Sequence, residues 1–211
     1  NMAEKAQRRT QAERSAGTRE LLLTAAIEAL HEHGYAATST ILVAEKAGVS
    51  RGAMLHQFRT KADLMTFVVE AVFEAELQHY SEYLKGVTDP RERFLAYPEM
   101  AWEVLSRPSG VAVLEILQGS RSDPQLCEML APVQARIEKE ALEFTHLAAA
   151  QDVRGAMAVM RLVVWAIRGL SIAQVLAPAP GSVRDSVKVL KRLMAAGLET
   201  GMLSVGPEKT K

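Results

Sequence analysis

The run from Thr38 to Phe58, TSTILVAEKAGVSRGAMLHQF, constrains this chain more than any other segment. A short helical pattern after Thr38 or Ser39 puts Val43, Ala44 and Ala47 on one side and stops at Gly48. A glycine just past a helix accepts the left-handed conformation that other residues resist. Val49 then turns an apolar side chain inward, and Ser50 reads as the N-cap of a second helix, Arg51 to Gln57. Met54 and Phe58, four apart, anchor that helix against its neighbour. Its outer side is left with Arg51, Gly52, Ala53, Leu55, His56 and Gln57. Two short helices hinged at a tight turn, the second with one face free, form a helix-turn-helix. That shape fits a helix into the major groove of duplex DNA.

The surrounding chain is helical in pattern. A helix is predicted from Thr18, as N-cap, with Leu22, Ala25, Ala26, Ala29 and Leu30 as its apolar stripe and Gly34 as its end. Thr60 to Asp63 reads as a capping box opening a long helix to about Lys85. That helix starts beside the turn motif and runs on into the rest of the chain, which makes it a natural lever. Further helices are expected from Pro90 to Ser106, Val111 to Gly119, Pro124 to Ala149, after an Asp152 cap to Leu176, and from a Ser182 cap to Leu203. No alternating strand pattern stands out. The prediction is an all-α fold of about nine helices. Residues 1–17 form a flexible basic arm with Lys5, Arg8, Arg9 and Arg14. Residues 18–64 form a three-helix DNA-binding domain, 65–205 a second helical domain, and 206–211 a tail.

Composition narrows the function. The 25 basic and 25 acidic side chains balance, which argues against a nonspecific nucleic-acid coat but leaves room for a local basic face. Cys127 stands alone, so no internal disulfide forms, and a reducing cytoplasm is the expected compartment. Cys127 itself is expected to be buried. The opening residues are polar rather than signal-like, and no apolar run is expected to span a bilayer. His31 and His33 flank Glu32 at a spacing that points them apart on a helix, so no metal site is expected. No phosphate loop, zinc-ligand spacing or nucleophile elbow is present, and the chain is read as non-enzymatic with no cofactor.

The segment from Thr18 to Leu64 resembles the DNA-binding domain of TetR-type (tetracycline-repressor-like) transcriptional regulators. The matching residues are His33-Gly34-Tyr35, Ala37-Thr38-Ser39, Val43-Ala44, Ala47-Gly48-Val49-Ser50, Gly52-Ala53, Phe58, and Lys61 with Leu64. The resemblance implies DNA contacts at Thr38, Ser39 and Thr40, where hydroxyls and N–H groups of a helix start suit a phosphate oxygen. It implies others at Ser50, Arg51, Gly52, Ala53, Leu55, His56, Gln57 and Lys61. The family usually places Tyr where Leu55 stands, and often Arg and Asp where Ile41 and Leu42 stand. Leu55 loses a phosphate contact but can touch a thymine methyl.

The resemblance further implies a homodimer on a quasi-palindromic DNA operator, joined through the last two long helices, and a small-molecule effector. On the first of those helices Val163, Ile167 and Leu170 are assigned to the dimer interface, and on the second Val187, Leu190, Met194 and Leu198. An apolar or amphiphilic effector of unknown identity is assigned to a cavity lined by Phe94, Tyr97, Trp102, Met129, Phe144, Met157, Met160 and Trp165. Glu115, Gln118 and His146 are candidates to orient it. An ordinary hydrophobic core would use the same apolar residues. The implied function is a ligand-responsive regulator, a repressor released from its operator by the effector. The alternative is a helical binding protein or enzyme with a degenerate DNA-binding domain.

Overall fold

The computed structural model describes residues 11–147, 153–176, 179 and 181–206. Among them are nine α-helices and no strand. They are α1 Gln11–Ala37, α2 Thr40–Ala47, α3 Arg51–Gln57, α4 Lys61–Tyr83, α5 Pro90–Leu105, α6 Pro108–Gly119, α7 Pro124–Thr145, α8 Val153–Ala173 and α9 Ser182–Glu199.

Local signals set most helix starts. The Ser39 side chain accepts the Leu42 N–H, and Ser50 accepts that of Ala53. Thr60 and Asp63 close a reciprocal capping box at α4. Asp89 and Asp123 cap α5 and α7, each ahead of a proline in the first turn. Gly48 has φ 66°, ψ 28°, and its N–H bonds back to α2.

Several boundaries differ from expectation. The first helix is already formed at Gln11, so Thr18 is no cap; its hydroxyl donates to the Arg14 carbonyl inside the helix. Part of the predicted arm is therefore helical, while Lys5, Arg8 and Arg9 lie outside the described residues. Gly34, at φ 75° and ψ 174°, breaks the helical path as expected, but helical turns resume to Ala37. Pro108 opens α6 instead of breaking the chain, because proline at a first turn forfeits no helical hydrogen bond. Helix α7 stops at Thr145, where His146 takes the left-handed conformation, short of Ala149. Gly181, not Ser182, holds the cap position of α9, and that helix stops at Glu199. The predicted cap Asp152 lies outside the described residues.

Two apolar clusters form the interior. The first joins α1 to α4 with Ala112, Val113 and Ile116 of α6 and Leu126, Leu130 and Val133 of α7. The helix-turn-helix thus shares a core with the chain beyond residue 64. Met54 and Phe58 are both buried in it. The Arg19 guanidinium lies 4.8 Å from the Phe58 ring centroid and 4.2 Å from that of Phe67, tying α1 to the exit of α3. The second cluster gathers Tyr80, Phe94, Tyr97, Met100, Leu142, Met160, Ile167, Val187 and Met194 from α4, α5, α7, α8 and α9. Helix α4 contributes to both clusters, so it couples them mechanically.

A polar joint reinforces that coupling. The Tyr35 hydroxyl donates to Asp123 Oδ2 at 2.8 Å, and the Tyr35 N–H donates to Glu115 Oε2 at 3.1 Å. Lys61, the first residue of α4, donates to the Tyr35 carbonyl at 2.6 Å and stands 3.9 Å above its ring. Asp123 Oδ1 meanwhile accepts the Leu126 N–H. That backbone bond, with the Tyr35 bond next, holds the Asp123 carboxyl below its usual pKa. Burial first, and the Asp123 bond second, push the Tyr35 phenol well up. The ring rests directly on Gly119, where any Cβ would overlap its atoms. Gly119→Ala is therefore expected to cost about 1–3 kcal/mol, as overpacking does, and to loosen the joint. Urea melts read the cost; an unchanged midpoint would mean that the ring moves aside freely.

The segment Arg154–Leu176 corrects one expectation. With a mean hydropathy of 1.6 it is long and apolar enough to cross a membrane by composition. It contains Arg161 and Arg168, and a third of that window is packed inside the fold.

Candidate nucleic-acid interface and effector cavity

The α2–α3 unit presents an outer surface made by Ser39, Thr40 and Ile41 at one helix start and by Ser50, Arg51, Gly52, Ala53, Leu55 and His56 at the other. Ser39, Ser50, Arg51, Gly52, Leu55 and His56 are exposed, as is Arg59, a basic neighbour that the sequence reading passed over. With no side chain at Gly52 and a methyl at Ala53, a partner can approach the backbone at the start of α3. Leu55 is 60% exposed and Ile41 46%, so both leave apolar surface open on this unit.

Three predicted contacts are otherwise engaged. Thr38 is fully buried, and its hydroxyl donates to the Gly34 carbonyl at 2.8 Å. The Gln57 amide donates to Ser15 Oγ at 2.8 Å, binding α3 to the start of α1. Lys61 serves the Tyr35 joint, and burial lowers its pKa. These residues hold the reading surface in place.

Between α4, α5, α7 and α8 lies a cavity with about 670 Å³ of atom-free space, part of it open to solvent. Tyr97, Phe144, Met157, Met160 and Trp165 of the predicted set line it. Three others do not. Phe94 is core, Trp102 faces a separate recess beside Tyr83 and Lys188, and Met129 packs on the first cluster near α6. The polar candidates fall elsewhere too. Glu115 belongs to the Tyr35 joint, Gln118 is exposed, and His146 borders a different groove. Cys127 is exposed on the first turn of α7, not buried as expected.

The cavity's own charged residues are Glu76 and Arg168 inside and Glu138, Glu140 and Arg161 around them. Glu76 and Arg168 are each 7% exposed. Burial drives the Glu76 carboxyl up to a pKa of about 7, with Arg168 pulling the other way. Arg168 Nη1 is buried without a hydrogen-bond partner. Tyr80 and Tyr97, also on the wall, have phenols raised by burial above all. Arg161 grips Glu138 with two bonds of 2.9 Å, clamping α8 to α7, and this pairing holds Glu138 below its usual pKa. A signal for Glu76 did exist in the sequence. It sits alone among Val72, Phe73 and Tyr80 on an apolar stripe, where a charge needs a reason.

The last helices differ from expectation in which faces they bury. Val163, Ile167, Val187 and Met194, assigned to a dimer interface, are buried in the chain's own core. Leu170, Leu190 and Leu198 are partly buried against the same cluster. The outward stripe on α8 is Ala158, Leu162, Trp165, Gly169 and Ile172, and on α9 it is Val189, Leu193 and Ala196. Leu162 is 74% exposed and Leu193 65%.

This arrangement has close counterparts. Residues 22–66 match the family model described as bacterial regulatory proteins, tetR family. An uncharacterized HTH-type transcriptional regulator of Mycobacterium tuberculosis is 25% identical over 198 residues, covering 90% of this chain and 99% of that one. A transcriptional regulator from Rhodococcus sp. Rha1 superposes with a TM-score of 0.67 at 21% identity, over 85% of this chain and 96% of that one. A protein from Saccharomonospora viridis, solved in complex with choline, gives a TM-score of 0.63 at 16% identity, over 87% and 96%. The capped helix-turn-helix thus lies in the segment that matches the tetR-family model, and the chain as a whole shares its helical architecture with transcriptional regulators of known structure.

Proposed function

We propose that the protein works in the cytoplasm as a homodimeric repressor, released from a quasi-palindromic operator by a small organic effector bound between α4, α5, α7 and α8. The observation that carries this reading is the placement of α4. Its first residue, Lys61, holds the Tyr35 joint beside the DNA-reading unit, while Glu76 and Tyr80 farther along it line the cavity. A molecule that fills the cavity pushes on the same rigid helix that fixes the reader. A ligand with different affinities for the two α4 positions then shifts the operator-binding equilibrium. The choline complex of the Saccharomonospora viridis protein supports the idea that this fold accommodates a small organic molecule.

The dimer surface in this reading is the outward stripe of α8 and α9, not the inward residues. Apolar side chains as large as Leu162, Trp165 and Leu193 on adjoining helices are what a second copy would cover. Trp165 also lines the cavity, so the partner would sit at its mouth. Two-fold pairing sets the two α3 helices about 34–36 Å apart for successive major grooves.

In the bound dimer Ser39, Thr40, Ser50, Gly52, Ala53 and His56 meet backbone phosphates or base edges, and Leu55 meets a thymine methyl. Arg51 makes the one strong charged contact at the head of α3. Arg51→Ala is expected to weaken operator binding by about 1–3 kcal/mol. Fluorescence anisotropy against DNA upstream of the protein's own gene tests both claims. Saturable, sequence-specific binding with a steep salt slope is expected, and the slope should flatten in Arg51→Ala if that residue neutralises a phosphate. A second reading rests on exposed Ile41 and Leu55, which leave apolar surface where the family usually has polar groups. A flat titration with intact small-molecule binding would favour a ligand-binding protein with a degenerate reader.

A further inference from the structure

The cavity's deepest charged groups do not satisfy each other. Arg168 lines the space, is nine-tenths buried and has Nη1 without a partner. A guanidinium cannot shed its charge at any working pH, so the vacancy cannot be relieved by titration. Glu76 faces the same space and acts on Arg168 electrostatically, yet the two make no contact ion pair. Around them the wall is aromatic and aliphatic: Phe73, Tyr80, Phe144, Met157 and Val164. A buried cation with an open donor, above an apolar floor, is half of a charge-assisted pair.

We propose that the effector is a monoanionic organic carboxylate, its head group bound to Arg168 and its apolar body lying among Tyr80, Phe144 and Met157. The assignment rests on the reading that this cavity holds the effector and adds its chemical class. A cationic ligand drawn to Glu76 would have to lie beside the Arg168 charge and would leave Nη1 empty. A dianion would bring more negative charge than one guanidinium balances, next to Glu76 and with Glu138 and Glu140 nearby. A monoanion has neither defect once Glu76 takes up a proton from solvent. The site then holds one carboxylate, one guanidinium and a neutral acid, and its net charge returns to that of the empty site with Glu76 ionised.

That proton is available near neutral pH, because burial already brings Glu76 to a pKa of about 7. Tyr80 of α4 and Tyr97 of α5 stay neutral, their phenols raised by burial. Arg168 of α8 stays charged. Glu138 of α7 is held ionised by Arg161 of α8, and Glu140 of α7 has Arg136 at 3.7 Å. Glu76 is the group that titrates, and an added anion raises its pKa further. Binding of the carboxylate therefore consumes protons above pH 7 and weakens as pH climbs.

Isothermal calorimetry on the full-length protein tests this with 3-phenylpropionate and octanoate, each set against its primary amide and its amine. The acids are expected to bind at least about tenfold more tightly than the amides, and the amines not at all. The preference should vanish in Arg168→Met. At pH 8, titrations of the wild-type protein in phosphate and in Tris should reveal uptake approaching one proton per ligand, and Glu76→Gln should abolish it. The proton count needs no variant, so it decides the matter even if Arg168→Met fails to fold. Equal or tighter binding of amides or amines, binding by none of the six compounds, or no proton uptake would overturn the carboxylate assignment. Acids that bind with this preference yet leave operator affinity unchanged would keep the ligand class and remove the effector role. Operator release by a cavity-binding neutral or cationic compound, with the acids silent, would do the reverse.

Discussion

Replacing Leu162 and Leu193 together by glutamate is expected to give a folded monomer whose operator affinity is lower by about 100-fold or more. Both side chains project outward, at 74% and 65% exposure, so a charge at either site meets water in the single chain and costs the fold little. In a dimer through this face the same charges would be desolvated against their symmetry mates. The size of the DNA effect follows from avidity. One reader on its half-site holds the second at an effective concentration in the millimolar range, and a monomer loses that second contact entirely. Sedimentation equilibrium gives the mass and anisotropy the affinity. A double variant that stays dimeric, or that binds the operator as the wild-type protein does, would exclude this face. The contrasting pair Val163→Glu and Met194→Glu should instead unfold the chain, because those side chains are 3% and 4% exposed inside it.

That contrast also explains what could be read from the sequence and what could not. The reader was legible because its signals are local. Ser39, Ser50 and the Thr60–Asp63 box each act on a backbone group three residues away. Helix α8 offered no such help. It carries few charges, so apolar residues appear all round it and no polar side marks which way it faces. Val163 and Leu162 are neighbours that point about 100° apart on the helix, and here the first is buried and the second free. The cavity was half legible. Its aromatic and methionine residues have the right character, but whether each lines space or fills core depends on packing across four helices. Lys61 illustrates the limit of motif transfer. Its place in the pattern matches a DNA-contacting lysine, while its ammonium sits on the Tyr35 carbonyl. That partner is supplied by the kink at Gly34, which pattern alone does not orient.

Glu76→Gln is expected to stabilise the ligand-free protein by up to about 3 kcal/mol at pH 8.5 and to change little at pH 5. In the unfolded chain Glu76 has an ordinary carboxyl pKa of about 4.5. In the fold burial raises it to about 7, against the smaller opposing pull of Arg168. Between these values the folded state keeps a proton that the unfolded state has released. Folding stability therefore falls as pH climbs through this window, and above about 7 the full penalty for the buried carboxylate is present. Gln keeps the shape of the neutral acid and removes the titration, so it escapes that penalty. Arg168 sees a neutral neighbour in the variant at every pH, as it does in the wild-type protein at low pH, and its own cost largely cancels from the comparison. Urea melts at pH 5 and 8.5, with both proteins at the same concentration so that dimerisation contributes equally, give the difference of differences. A gain of the same size at both pH values would show that Glu76 is ionised, or neutral, throughout, and would remove the proton linkage on which carboxylate capture depends.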